Sequence, residues 1–543
     1  MKIFSITTRQ ENIQKLQNEE FDLLIIGGGI NGAGVARDAA QRGLRVALVE
    51  SHDFAWGTSS RSSKLVHGGI RYLENMEFKL VFEALSERAK LFALAPHLTH
   101  PLRFVIPLFK NSRVGMFKMG LGMMLYDVLS LFSAPEMHER LSPSETIDRY
   151  PVVNHQDLIG SYVYSDGYMD DDRLVHETLR SAHESGAVCV NYTSVISGNH
   201  AGEKLNSLNV IDLKTNQKFT IRAKHVISTV GPWTDLVGEN LVQKWKKILR
   251  PTKGIHLTFL KEKLKLESAV VMAAEKSSRI VFAIPRHEMV IVGTTDTDFN
   301  GRPETVSVTP EDVEYLLEIT NRYFPGAKLT AKDIVSSYAG VRPLVQDDSA
   351  SEGKTSREHT IIHDPSGITF VAGGKYTTYR LMSEDIVDQV LKFFPYEKRV
   401  AVKRCETKQA LNSYTSTEAY QQALTETQTA DETLRQLATR HGLEYHQIIQ
   451  AYPEYTNYWQ LEAAHAIHTT MCLNICDFYT RRVPLFLSQK DHGLSLLNEI
   501  SEVFQKELKL SATALELQKK ELIDHIKSEL SWMTSFNLEP FKS

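Results

Sequence analysis

The sequence predicts an α/β protein in which a Rossmann-like dinucleotide-binding domain carries an inserted, antiparallel β-rich domain and is followed by an α-helical domain. Three observations point there. Residues 21–50 read strand, glycine turn, helix, strand. Two further apolar strands, each followed by glycine, come at residues 225–229 and 368–372. After about residue 395 glycine-rich turns give way to helical periodicity.

In FDLLIIGGGINGAGVARDAAQRGLRVALVE, Leu23 to Ile26 form the continuous apolar run of a strand buried on both faces. Gly27, Gly29 and Gly32 fit G-x-G-x-x-G at the mouth of a small-residue helix that begins at Asn31. Such glycines allow the tight turn, the approach of backbone to a pyrophosphate, and close packing of helix on strand. The pyrophosphate then rests on a helix N-terminus. Glu50, at the end of the second strand, is placed to accept hydrogen bonds from a ribose and disfavours a 2′-phosphate.

The loop alone does not separate NAD from FAD. Residues 51–74, SHDFAWGTSSRSSKLVHGGIRYLE, follow where a second helical crossover would stand and are dense in hydroxyls and glycines, suited to wrapping a long buried cofactor. GPW, with Gly231, and GGK, with Gly374 and Lys375, return to the same ligand after buried strands. These features favour FAD.

RIVFAIPRHEMVIVGTTD, residues 279–296, alternates as an antiparallel sheet does. The expected division is an N-terminal extension over 1–20 and a discontinuous oxidoreductase region over 21–395. A substrate domain is inserted at roughly 95–155 and 236–335, and a helical domain covers 400–543.

Of 543 residues, the formal net charge of −4 argues against a nucleic-acid partner. Cys189, Cys405, Cys472 and Cys476 lack zinc-site spacing, so no metal is expected, and reduced thiols fit a cytosolic setting. The first twenty residues have no signal-peptide core. VGMFKMGLGMMLYDVLSLF, residues 114–132, falls short of the ~18 uninterrupted apolar residues of a spanning helix, being broken by Lys118 and Asp127. It suits either a buried core helix or shallow membrane insertion, flanked by Lys110 and Arg113.

GGGINGAGVARDAAQRGL, GTSSRSSKLVHGGIRYLE, VGPWTD, KGIH, GTTDTD, YAGVRPL and GGKYTTYR, in this order, resemble the FAD-dependent glycerol-3-phosphate dehydrogenases over most of residues 20–385. CDFYTRRVPL, 476–485, is a fainter echo of that family. The resemblance implies an FAD-binding domain of the glutathione-reductase/D-amino-acid-oxidase type. It implies oxidation of sn-glycerol 3-phosphate to dihydroxyacetone phosphate, with electrons passed through FAD to a quinone. It also implies a peripheral, monotopic position on the cytoplasmic face of the inner or plasma membrane, and leaves room for a homodimer.

By the same resemblance, Arg71, Tyr72, Arg342 and Lys375 line the substrate pocket, in keeping with arginine's paired hydrogen bonds to phosphate. His256 is a base candidate with an ordinary pKa of ~6.5; Arg342 is the other catalytic candidate, as a stabiliser of developing alkoxide. Thr58, Ser59, Ser62, Lys64, Leu65 and His67 match the flavin-contacting loop, and Gly374, Thr377 and Thr378 stand where a helix N-terminus approaches the flavin ring. Tyr376 and Arg61 depart from the family pattern. The competing readings are a glycerol-3-phosphate oxidase using oxygen, an amine or amino-acid oxidase, and a non-catalytic flavoprotein sensor.

Overall fold

Six consecutive buried residues, Phe21 to Ile26, make Glu20–Ile26 the central strand of a parallel sheet. The one acid among them, Asp22, is held by Lys398 at 2.8 Å, Lys224 at 3.1 Å and the Arg45 N–H at 3.0 Å. Val46–Val49 and Val188–Val190 lie parallel on one side. Lys218–Ser228 and Ile368–Gly373 lie parallel on the other, and His359–Asp364 adds an antiparallel edge. The chain thus returns on both sides of its first strand, whose C-terminal end is a topological switch point, the place where open α/β sheets bind ligands. The structure, a computed structural model, describes residues 3–132, 134–273, 279–346, 359–404 and 406–541, with the backbone alone at Arg71 and Asn75. Cys405 lies outside the described residues.

One face of this sheet is covered by Ile30–Gln41, packed between Asp171–Glu184 and Tyr379–Leu391. The other is covered by Ile6–Asn18 and by the hairpin of Thr193–Ala201 and Lys204–Asp212. The N-terminal helix carries a buried arginine, Arg9, which donates to the Asn191 carbonyl and pairs with Asp212.

Among the described residues the second sheet has ten strands, running from Leu65–Val66 and Thr99–Phe109 to Ile334–Arg342. Its pairings are antiparallel except for Ala269–Ala273, which runs parallel to Thr99–Phe109. Those two strands come from separate stretches of chain, so no hairpin forces a reversal. The helices from Thr417–Glu426 to Ala512–Glu529 share one apolar core with this sheet. Polar ties fix the contact: Thr258 Oγ1 donates to the Leu487 carbonyl at 2.8 Å, and Trp532 Nε1 to Ser337 Oγ at 2.9 Å.

Met116–Leu129 is a helix with two apolar faces. Met123, Tyr126 and Asp127 are buried, whereas Phe117 is 89% exposed and Leu121, Met124 and Val128 share its solvent side. Asp127 pairs inward with His138. Among the described residues no helix is long and apolar enough to cross a membrane.

Three fully buried histidines, His97, His176 and His465, have pKa values pushed well below 6.5, first by burial and then by neighbouring cations. They are neutral in the fold and take up protons on unfolding below about pH 6.5, so stability falls as the pH drops through that value. Asp477, pushed up to about 6 by burial and by Asp53, acts in the opposite sense between about pH 6 and pH 4. Urea titrations at pH 7.5 and 5.5 should show a loss approaching about 1.4 kcal/mol per pH unit for each net proton. Equal stability at the two values would contradict the assignment.

Candidate active site

The turn after the central strand is built on steric grounds. Gly27 has φ +104°, and a Cβ added at Gly32 would lie 1.9 Å from the Gly27 carbonyl oxygen. No side chain fits there, so Gly32 serves the packing of Ile30–Gln41 on the strand and stands off the cavity wall. Glu50 braces the turn: its carboxylate accepts from the Gly28 N–H at 2.7 Å and the His52 N–H at 2.9 Å. Ser59 Oγ accepts from the Ile30 N–H at 3.0 Å, which ties the hydroxyl loop to the helix N-terminus.

From this turn a cavity of about 710 Å³ runs to the face of the second sheet. Gly27, Gly29, Asn31, Glu50, Thr58, Ser59, Ser62, Leu65, His67 and Gly231 line it. Tyr72, His256, Arg342, Gly374, Lys375 and Thr377 line it as well, the Thr377 hydroxyl meeting the His67 N–H at 3.3 Å. The Arg71 side chain lies outside the described residues. Thr378 Oγ1 turns back to the Lys375 carbonyl at 3.2 Å, away from the wall. Lys64 also departs from the wall: its ammonium is buried in an ion pair with Asp171, which accepts from Ser62 Oγ at 2.6 Å as well.

The far end is set by strand register. His256 faces Tyr338 across the pair Thr252–Leu260 and Ile334–Arg342, and Gly254 faces Gly340. Side chains on one face recur every second residue, so His256, Gly254, Gly340 and Arg342 share the cavity face. Gly254 clears room, since a Cβ there would be 2.3 Å from an Arg342 Nη. Arg342 is then fixed by Asp296 at 3.1 Å, Thr294 Oγ1 at 2.8 Å and the Thr295 carbonyl at 3.1 Å. Lys375 places its ammonium 3.4 Å over the Tyr72 ring.

His256 stacks on Tyr338 with ring centroids 4.7 Å apart, and its Nε2 shares a 2.8 Å hydrogen bond with Ser63 Oγ. Burial pushes its pKa well below 6.5, and Arg342 and Lys64 add to the shift, so the ring is neutral at physiological pH. Ser63 and Asp296, both on the cavity wall, were given no role by sequence reasoning. Asp296 lies within GTTDTD, a motif that carried the resemblance without a function; Ser63 had no signal beyond its hydroxyl-rich run. Elsewhere, ligand atoms of His441, Glu444 and His465 lie within 4.8 Å of one another. The Glu444 carboxylate, however, is taken by Arg180 at 2.6 Å and Asn412 at 3.1 Å, and His441 by Glu462 at 2.8 Å.

A glycine turn at a switch point, an acid bracing it, and a long cavity ending on a neutral histidine and an arginine define a dinucleotide-dependent oxidoreductase. Residues 22–380 match the family model of FAD-dependent oxidoreductases, and 407–515 match that of the C-terminal domain of alpha-glycerophosphate oxidase. The aerobic glycerol-3-phosphate dehydrogenase of Staphylococcus aureus is 41% identical over 404 residues, covering 74% of this chain and 72% of its own. The glycerol-3-phosphate dehydrogenase of Bacillus halodurans, solved with FAD, superposes with a TM-score of 0.80 at 29% identity over 97% of this chain and 99% of its own. The L-alpha-glycerophosphate oxidase of Mycoplasma pneumoniae, at 19% identity and TM-score 0.55 over 68% of this chain and 95% of its own, shares the fold. The chain belongs to the FAD-dependent glycerol-3-phosphate dehydrogenase family, and its cofactor is FAD.

The bare backbone of Gly27 to Gly32 and the acid at Glu50 fit the pyrophosphate and ribose of that cofactor. A Cβ at Gly29 would come within 3.0 Å of Ser59 Oγ, and a valine there would project further into the turn. Gly29→Val is expected to purify with less than a tenth of the flavin, read from the ratio of 450 nm to 280 nm absorbance. Full occupancy would place the pyrophosphate elsewhere.

Proposed function

We propose that the protein oxidises sn-glycerol 3-phosphate to dihydroxyacetone phosphate and passes the electrons to a membrane quinone. The observation that carries the reading is that Arg342, Lys375 and neutral His256 all line the one cavity that starts at the glycine turn. FAD, when bound, supplies the acceptor of the hydride leaving C2. Arg342 and Lys375 hold the phosphate dianion by charge-assisted hydrogen bonds, as the sequence resemblance also implies for Arg71. Arg342, rigidly held, is in addition a fixed positive charge for oxygen as it loses its proton. The C2 hydroxyl proton passes through Ser63 Oγ to His256 Nε2, the pair being hydrogen-bonded already.

The choice of acceptor is supported by the surface. A second cavity of about 820 Å³, lined by Leu73, Phe78, Phe109, Leu121 and Leu125, shares Ile70, Val271, Arg279 and Ile280 with the first. It reaches the exposed face of Met116–Leu129, whose Phe117 and Leu121 suit shallow insertion into a bilayer. Lys110 and Arg113 are paired with Asp157 and Glu74, leaving attachment mainly hydrophobic. Tyr126 on the inner face accepts from the Gly68 N–H at 3.0 Å, joining this helix to the loop that carries Tyr72.

Arg342→Ala should lower kcat/KM for glycerol 3-phosphate by about 10- to 150-fold, the loss of one charged hydrogen-bonding partner worth about 1.5–3 kcal/mol, while flavin stays bound. Glycerol itself should be a very poor substrate, and comparable turnover of the two would remove the phosphate clamp. Ser63→Ala should cut kcat by about 10² with little change in KM. Because His256 must be neutral to accept a proton, wild-type kcat should fall on the acid side with a pKa below 6.5. Finally, Phe117→Glu with Leu121→Glu should move the protein from the membrane to the soluble fraction and abolish quinone reduction while dye-linked turnover survives. Peroxide formed in step with substrate oxidation would instead favour an oxidase.

A further inference from the structure

The CDFYTRRVPL run has no part in the chemistry above, yet the fold carries its two arginines to the cofactor domain. Arg481 Nε lies 2.9 Å from Asp53 Oδ2. Arg482 grips the same carboxylate with both arms of its fork, Nη1 to Oδ2 at 2.7 Å and Nη2 to Oδ1 at 2.9 Å. Asp53 is fully buried, and the two arginines are 5% and 4% exposed. The arginines are themselves anchored in the helical domain: Arg482 donates to Thr470 Oγ1 at 2.7 Å and to the Thr470 carbonyl at 3.0 Å, and Arg481 pairs with Asp477.

Asp53 sits in the segment that leaves Glu50. Ser51, His52 and Trp56, around it, line the Glu50 end of the cavity. The segment is short of regular structure and depends on its ties: the Ala55 N–H donates to the Gly28 carbonyl at 3.1 Å, and the His52 ring stacks on Trp56 at 3.8 Å. A second branch of the same network ends there too. Asp477 accepts from Tyr192 Oη, and the Tyr192 N–H donates to the His52 carbonyl at 2.9 Å. A third tie is Asn191 Nδ2 to the Met471 carbonyl at 3.0 Å. All three link the helical domain to the walls beside Glu50, and none reaches the His256 end.

A buried ion pair is weak evidence for added stability, whereas a forked arginine fixes geometry. We propose that the helical domain is a cofactor clamp: Arg481 and Arg482, through Asp53, set the Ser51–Trp56 wall against the adenosine half of FAD. They act as positioning residues and touch no cofactor atom. The inference rests on the ribose lying at Glu50.

The test uses the full chain, stripped of flavin and titrated with FAD and with FMN, which lacks the adenosine half. Arg482→Lys keeps the charge and loses the fork. It should bind FAD at least tenfold more weakly and release it faster, while FMN affinity stays within twofold of wild type. With saturating FAD, turnover and KM for glycerol 3-phosphate should return. FAD affinity within twofold of wild type, or an equal loss for FAD and FMN, overturns the clamp. Asp53→Asn is the second variant, with the same arms. If neither variant yields folded protein even with FAD present, the network is purely structural and the clamp is rejected. Gly29→Val is the control for placement: if it keeps wild-type FAD affinity while Arg482→Lys loses it, the position of the pyrophosphate fails rather than the clamp.

Discussion

The contact between Gly32 and the Gly27 carbonyl oxygen is the constraint on which the rest depends. With room for no Cβ, the helix Ile30–Gln41 starts directly against the end of its strand, and its first N–H, that of Ile30, meets Ser59 Oγ at the switch point. Any larger residue would push the helix off the sheet and close the approach to backbone. Glu50 then bonds back to the Gly28 N–H, so the second strand holds the turn made by the first. The chain later returns to this edge: Lys218–Ser228 pairs with the first strand, and Ile368–Gly373 pairs with Lys218–Ser228.

The other end of the cavity solves a different problem, that of placing a histidine and a cation side by side without letting them pair. His256 cannot hold charge, being buried and flanked by cations. Arg342 is kept from it by its own acceptors, Asp296, Thr294 and the Thr295 carbonyl. Two glycines, Gly254 and Gly293, make the close packing possible: a Cβ on the first would strike Arg342, and on the second would lie 2.3 Å from His256 Cδ2. The strand pair supplies spacing, and the glycines supply room.

What could be read in the sequence was what is local. The glycine turn, the buried strands and the alternating 279–296 segment each announce themselves within a few residues, and the structure has them as Glu20–Ile26, Val46–Val49, Ile280–Arg286 and Met289–Gly293. What could not be read depends on partners far along the chain. The helix Ile6–Asn18 hides a buried arginine whose carboxylate partner is Asp212, so its polar sequence looked like an extension. Lys64 belongs to a hydroxyl-rich loop and reads as a ligand contact; Asp171, over a hundred residues away, claims its ammonium. Ser63 gains meaning only when His256 arrives beside it.

Residues 114–132 show a further limit, because apolar periodicity distinguishes inside from outside only when one face is polar. Here Phe117, Leu121, Met124 and Val128 form an exposed stripe, while Met123 and Tyr126 pack inward, so the helix is apolar nearly all round. The interruptions do not share a face: Lys118 is exposed and Asp127 is buried against His138. A helix with a core on one side and an exposed apolar stripe on the other has no pattern to display. The inner face is anchored at Tyr126, whose hydroxyl donates to Asp166 at 2.7 Å while accepting from Gly68, which ties the helix with the exposed stripe to the loop that leads to Tyr72.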